Sequence, residues 1–129
     1  MKKCLTIILI ASQALATSAQ SQGVTVNLLI DGCNSSDPAA QSLCGGYING
    51  TIDGLKWAGD VAAFELGFTE GRAMREQGKI LVNACIPDSA TGGQLYEVAL
   101  QFMRSNPQIW HQPAVTVIHQ SMMDAFPCE

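Results

Sequence analysis

The stretch Asp37-Pro38-Ala39-Ala40-Gln41-Ser42-Leu43-Cys44-Gly45-Gly46-Tyr47-Ile48-Asn49-Gly50-Thr51-Ile52-Asp53-Gly54-Leu55-Lys56-Trp57 decides the fold. Asp followed by Pro is a helix-start signal, with Asp37 as cap and Pro38 at the first helical position. Leu43, Tyr47, Ile48, Ile52 and Leu55 recur at three- and four-residue spacing, which predicts a helix over 39–57. Gly46, Gly50 and Gly54 share one ridge of that helix. Each costs about 1 kcal/mol relative to alanine, so three on one face imply another backbone passing close. A membrane-dimer reading of that ridge fits poorly, because Asp53 and Lys56 lie in the same helix.

Towards the C-terminus, residues 58–80 are the most charged part, with Asp60, Glu65, Glu70, Arg72, Arg75, Glu76 and Lys79. They read as helix over roughly 60–77, punctuated by Gly67, Gly71 and Gly78, with the charges forming a solvated face. Ile80-Leu81-Val82 leads to Cys85, and Ile86-Pro87-Asp88-Ser89 reads as a loop. Thr91-Gly92-Gly93-Gln94 matches a capping box, and opens a helix with Leu95, Val98, Ala99, Phe102 and Met103 on one face. That helix stops near Ser105-Asn106-Pro107, and Ile109-Trp110 forms a short apolar turn. A last helix begins at Gln112-Pro113, with Val115, Ile118, Met122 and Phe126 as its expected buried stripe and Pro127 at its end. Towards the N-terminus, Cys33 to Pro38 is turn chemistry. Val24 to Ile30 fits either a short strand or a short buried helix.

The first residues read as a secretory signal peptide. Met1-Lys2-Lys3 is basic, Leu5 to Leu15 is largely apolar, and Thr17-Ser18-Ala19 offers a cleavage site. Residues 1–19 are therefore expected to be removed, with Ala14-Leu15-Ala16 as a second cleavage position, leaving one domain over 20–129. The apolar run is shorter than the roughly 20 residues a membrane span takes. Cys4 precedes that run, so a lipid-modified mature N-terminus and a membrane anchor are not expected. Removal of Lys2 and Lys3 leaves five basic against eleven acidic residues, a net charge of −6. An acidic chain without a basic stripe argues against nucleic acid and against anionic lipid. It suits a basic protein partner, or solubility alone.

Four cysteines remain: Cys33, Cys44, Cys85 and Cys128. An even count in a short exported chain implies two disulfides. Zinc would call for close pairs, which these spacings lack. Spacing alone leaves all three pairings open.

The residues offer little for catalysis. His111 and His119 are the only histidines, and Ser121 lies between His119 and Asp124. Residues two apart on a helix do not face each other, and no nucleophile elbow is present. His119, Met122 and Met123 offer a thin metal set, but Met122 belongs to the expected apolar stripe. No enzyme activity, metal or cofactor is expected.

The order Cys44-Gly45-Gly46-Tyr47-Ile48-Asn49-Gly50, Cys85-Ile86-Pro87, Gln94-Leu95, Asn106-Pro107 and Ala125-Phe126-Pro127-Cys128 resembles the Rap/Tai family of type VI secretion amidase immunity proteins. The resemblance spans most of residues 33–128. It implies an all-α fold: a small helical bundle like the HdeA acid-stress chaperone, stapled by two disulfides. It also implies a periplasmic homodimer that blocks a toxin cleaving peptidoglycan cross-links. By the same resemblance, Cys44 pairs with Cys85 and Cys33 with Cys128. Residues 58–80 are longer and more charged than the family pattern. Within this reading the loop after Cys85 is the candidate partner-binding element: Ile86, Pro87, Asp88, Ser89 and Thr91. A disulfide before it and a helix cap after it would limit the entropy lost on binding. The alternatives are an envelope chaperone that exposes apolar surface when protonated, or a structural envelope domain of the same fold.

Overall fold

The computed structural model describes residues 23–129; the expected signal peptide and Cys4 lie outside the described residues. Five α-helices follow one another: α1 Val26–Asn34, α2 Pro38–Glu65, α3 Gly71–Leu81, α4 Gly92–Ser105 and α5 Ala114–Ala125. A single 3-10 turn, Pro107–Ile109, joins α4 to α5.

Of residues 24–30, those from Val26 onward resolve as helix. The buried positions are Val26, Leu29 and Ile30, a helical rather than alternating set. Thr25 caps α1 through its side chain, at 3.4 Å from the Leu28 amide. The segment before α1 does pair in extended fashion: the Ala114 amide donates to the Val24 carbonyl at 2.8 Å, and the Val26 amide to that of Gln112 at 3.0 Å. These bonds clamp the start of α1 to the start of α5.

α2 begins as its sequence predicts, with Asp37 Oδ1 accepting from the Ala39 amide at 3.1 Å and Pro38 at the first position. It runs on to Glu65, beyond the expected end at Trp57. Gly67 (φ +93°) ends it. The Gly67 amide bonds to Phe64 and the Phe68 amide to Ala63, a left-handed cap that needs a residue without Cβ strain. Asn83 (φ +53°) closes α3 in the same way, with its amide on Ile80 and that of Ala84 on Lys79.

The core is built from α1, α2, α4 and α5. Ile48, Ile52, Leu95, Met103, Ile118 and Met122 are its largest fully buried side chains. The α5 stripe differs from the expected one. Ala114, Val117, Ile118, Ser121 and Met122 face inward, while Val115 is 51% exposed. The clamp at Gln112 and Ala114 fixes the rotation of α5 and turns Val115 outward.

The glycine ridge also differs from expectation. A Cβ at Gly46, Gly50 or Gly54 would meet nothing within 4 Å. The close backbone approach lies further along α2, where a Cβ at Gly59 would stand 2.5 Å from the Gly78 carbonyl oxygen. There α3 crosses α2 backbone to backbone. Within α3 only Gly78 is buried, so α3 is an arm laid on the distal half of α2.

The disulfides are Cys33–Cys44 and Cys85–Cys128. The pairing implied by the family resemblance, Cys44–Cys85 with Cys33–Cys128, is thereby corrected. The reason is the local turn chemistry at each end. Ser35 to Asp37 reverses the chain between α1 and α2, bringing the last turn of α1 against the second turn of α2, with Cys33 and Cys44 Cα atoms 5.2 Å apart. At the other end the Cys85 amide donates to the Phe126 carbonyl at 2.8 Å. That bond lays the tail along the 84–86 segment and sets the Cys85 and Cys128 Cα atoms 5.0 Å apart.

Candidate functional site

The loop between Cys85 and α4 is held at both ends. Cys85 is fixed by its disulfide and by the Phe126 carbonyl. Thr91 is fixed as the α4 cap, its Oγ1 accepting from the Gln94 amide at 3.2 Å. Between them the Ala90 amide donates to the Pro87 carbonyl at 3.0 Å, closing a four-residue turn with Asp88 and Ser89 at its tip.

Of the residues assigned to partner binding from sequence, Pro87, Asp88, Ser89 and Thr91 are exposed. Ile86 is not; it is 4% exposed and belongs to the core. It reaches the surface only as part of the floor of the groove beside the turn.

Beside this turn lies a groove of about 400 Å³. Its apolar floor is Leu55, Val82, Ala84, Ile86 and Pro87, and its rim carries Lys56, Asp60, Arg75, Lys79 and Asp88. The loop forms one wall and the α2–α3 crossing the other. Lys79 ties them together: its Nζ lies 2.9 Å from Asp88 and 3.0 Å from Glu76. The hydrogen bond and charge of Lys79 hold the Asp88 carboxyl below its ordinary value, with Arg75 and Arg72 adding to the effect. Partial burial pulls the Lys79 ammonium down, but the hydrogen bonds and charges of Asp88 and Glu76 outweigh it and leave its pKa raised.

The sequence assigned Arg75 and Lys79 to a solvated face. Their place on the groove rim depends on the left-handed turn at Asn83, which carries the chain from α3 into the loop. The Pro-Asp-Ser sequence marks a loop, but nothing local marks the helix it will lie against.

The chemical candidates are engaged elsewhere. Ser121 Oγ donates to the Ile118 carbonyl at 2.7 Å inside the core. His119 Nε2 lies 2.8 Å from the Val82 carbonyl and bonds there. Met122 is fully buried. Among the described residues no group of three or more His, Cys, Asp or Glu side chains is placed to hold a metal. No helix among them is long and apolar enough to cross a membrane.

The described residues thus form a small helical domain with two disulfides and a braced, exposed turn beside an amphipathic groove. A family model for Rap1a immunity proteins matches residues 25–128. The chain belongs to that family. No curated protein and no solved structure matches it.

Proposed function

We propose that this chain is a periplasmic immunity protein that binds and blocks a type VI secreted peptidoglycan amidase, acting as a homodimer. Membership of the Rap1a immunity family supports a toxin as the partner. The observation that carries the mode of action is the turn Pro87–Ala90, exposed at its tip and fixed at Cys85 and Thr91. Such a turn loses little conformational freedom on docking, so its contacts are retained as affinity. Inserted into a catalytic cleft, it would exclude substrate with no chemistry of its own. The mixed charges around the groove, from Lys56, Arg75 and Lys79 to Asp60 and Asp88, would fix the register of the bound toxin.

The test is inhibition. The purified, oxidised chain is titrated into candidate amidases digesting peptidoglycan sacculi, and the released muropeptides are quantified. Stoichiometric loss of activity is expected with one amidase. Replacing Pro87, Asp88 and Ser89 by glycine should raise the inhibition constant by at least about tenfold, as befits a central contact. Inhibition that survives this replacement unchanged would refute the turn as the plug. Absence of any inhibited amidase would refute the toxin class.

A further inference from the structure

α2 is apolar on two opposite sides, and the described residues cover only one. Cys44, Ile48, Ile52, Gly59 and Ala63 are buried. On the opposite side Leu43, Gly46, Gly50, Gly54, Trp57, Val61 and Phe64 are all exposed. Leu43 is 71%, Trp57 70%, Phe64 55% and Val61 41% exposed. The seven succeed one another at spacings of three and four, so they form a single stripe along the helix. From Gly50 onward the spacing alternates four and three, the repeat of a helix that packs along a second helix.

The order of sizes along the stripe identifies the occupant. Three glycines fill its middle and first half, and three large side chains fill its second half. Laid parallel, two such stripes would set glycine against glycine and Trp57 against Trp57, leaving a void beside a collision. Laid antiparallel, they place Trp57 level with Gly50 of the second copy, Val61 level with Gly46, and Phe64 level with Leu43. Each bulky residue of the aromatic half then faces a residue of the other half, and two of the three meet bare backbone. One helix running against itself generates this match only by a two-fold axis, passing near Asp53 and Gly54. That is the self-complementarity an isologous interface requires.

We propose that this stripe is the contact between two copies of the chain, in an antiparallel α2–α2 pair. The inference rests on the homodimer of the proposed function and assigns its contact; the centre of the stripe lies away from the groove at Lys79 and Asp88, and Lys56 and Asp60 are the groove residues that flank it. Taking ~150–250 Å² for each aromatic side chain, the four large residues offer on the order of 500 Å² per subunit. The flanks, with Tyr47, Asn49 and Lys56, bring this towards the roughly 800 Å² per partner of a standard interface. The flanking charges raise little repulsion. Lys56 stands level with Thr51 of the second copy, Asp60 with Tyr47 and Glu65 with Ser42. Asp53 alone comes near its own copy, with its exposed carboxylate at the edge of the contact.

The inference is tested by sedimentation velocity on the full chain, purified with its disulfides formed, across the micromolar range. A reversible dimer is expected. Gly50→Leu separates loss of the interface from loss of the fold. Beyond the helix's own backbone, no atom of the described residues lies within 4 Å of a Cβ there, and any side chain other than proline favours helix over glycine. This variant should keep its helical circular dichroism, melt no lower than the parent as a monomer, and dimerise at least about tenfold more weakly. Trp57→Ala should weaken the dimer similarly. A parent that stays monomeric throughout the range overturns the proposal. So does a dimer indifferent to both substitutions, or binding of the parent monomer to lipid vesicles that Gly50→Leu and Trp57→Ala abolish.

Discussion

Substituting Gly59 by alanine probes the crossing on which one groove wall depends. The added methyl would stand 2.5 Å from the Gly78 carbonyl oxygen and 2.9 Å from its carbon. Those atoms are backbone, so no rotamer change relieves the contact. α3 must move outward by roughly 1 Å to restore ordinary van der Waals distance. Overpacking of this kind costs about 1–3 kcal/mol, while exchanging glycine for alanine inside a helix returns about 1 kcal/mol. The net expectation is a loss of up to about 2 kcal/mol. Gly45→Ala in the same helix serves as the reference, because a Cβ there meets nothing within 4 Å. It should gain about 0.5–1 kcal/mol. Urea unfolding followed by circular dichroism should therefore separate the two variants by about 2 kcal/mol, roughly a 1 M gap in midpoint for a domain of this size. The Gly59 variant should also bind the toxin more weakly, since Arg75 and Lys79 move with α3. A Gly59→Ala protein with a midpoint at or above that of Gly45→Ala would refute the reasoning.

The remaining expectations concern the loop and the core. Thr91→Ala removes the α4 cap and should cost about 1 kcal/mol, measured in the same urea titration. Replacing both Cys85 and Cys128 by serine should cost about 4 kcal/mol in the chain-entropy picture, and should open the 86–91 turn to limited proteolysis. Met103→Ala at a fully buried site should cost about 2–5 kcal/mol, read as a lowered Tm. The Lys79–Asp88 bond has a defined pH window. Asp88 is lowered from 3.8, so its contribution is present above that value and is lost as pH falls through the depressed pKa. Lys79 is raised from 10.5, so its contribution is present below that value and is lost as pH rises through the elevated pKa. Amide exchange in the turn should be protected equally by this bond from about pH 5 to 9, and protection should fall in stronger acid.

The parts of this fold written in short-range chemistry were legible in the sequence. Asp37-Pro38 and Thr91 cap helices because caps need only the residues beside them. The inward face of α4 follows from Leu95, Ala99 and Met103 at helical spacing. The disulfide pairing was not legible, because it depends on where two turns send the chain. The reversal at Ser35–Asp37 and the bond from Cys85 to Phe126 are contacts that the family resemblance did not supply. The glycine signal misled for a related reason. Gly46, Gly50 and Gly54 share a ridge and suggested close packing, but ridge periodicity cannot say whether the neighbour lies in the same chain. Gly59 and Gly78 make the real crossing, and each looks like an isolated glycine in its own segment. Of the candidate site, the loop was visible and the groove beside it was not. Pro87-Asp88-Ser89 announces a turn, whereas Lys79 meets Asp88 only because Asn83 adopts a left-handed conformation.

The division of labour between core and site bears on how such a protein would keep pace with a changing partner. The large buried side chains come from α1, α2, α4 and α5, while α3 contributes only Gly78 to the interior. Charges on α3 can therefore change without opening a cavity, at the small cost typical of surface substitutions. The groove rim uses those charges, through Arg75 and Lys79. Opposite them the turn is secured by a disulfide, a core isoleucine and a helix cap. One wall of the groove is thus cheap to vary and the other is expensive to lose. A binding surface built this way can alter its charge pattern to follow a partner while its protruding turn stays in place. The most charged segment of the chain, which reads in isolation as a solvated face, is then where partner specificity is expected to reside.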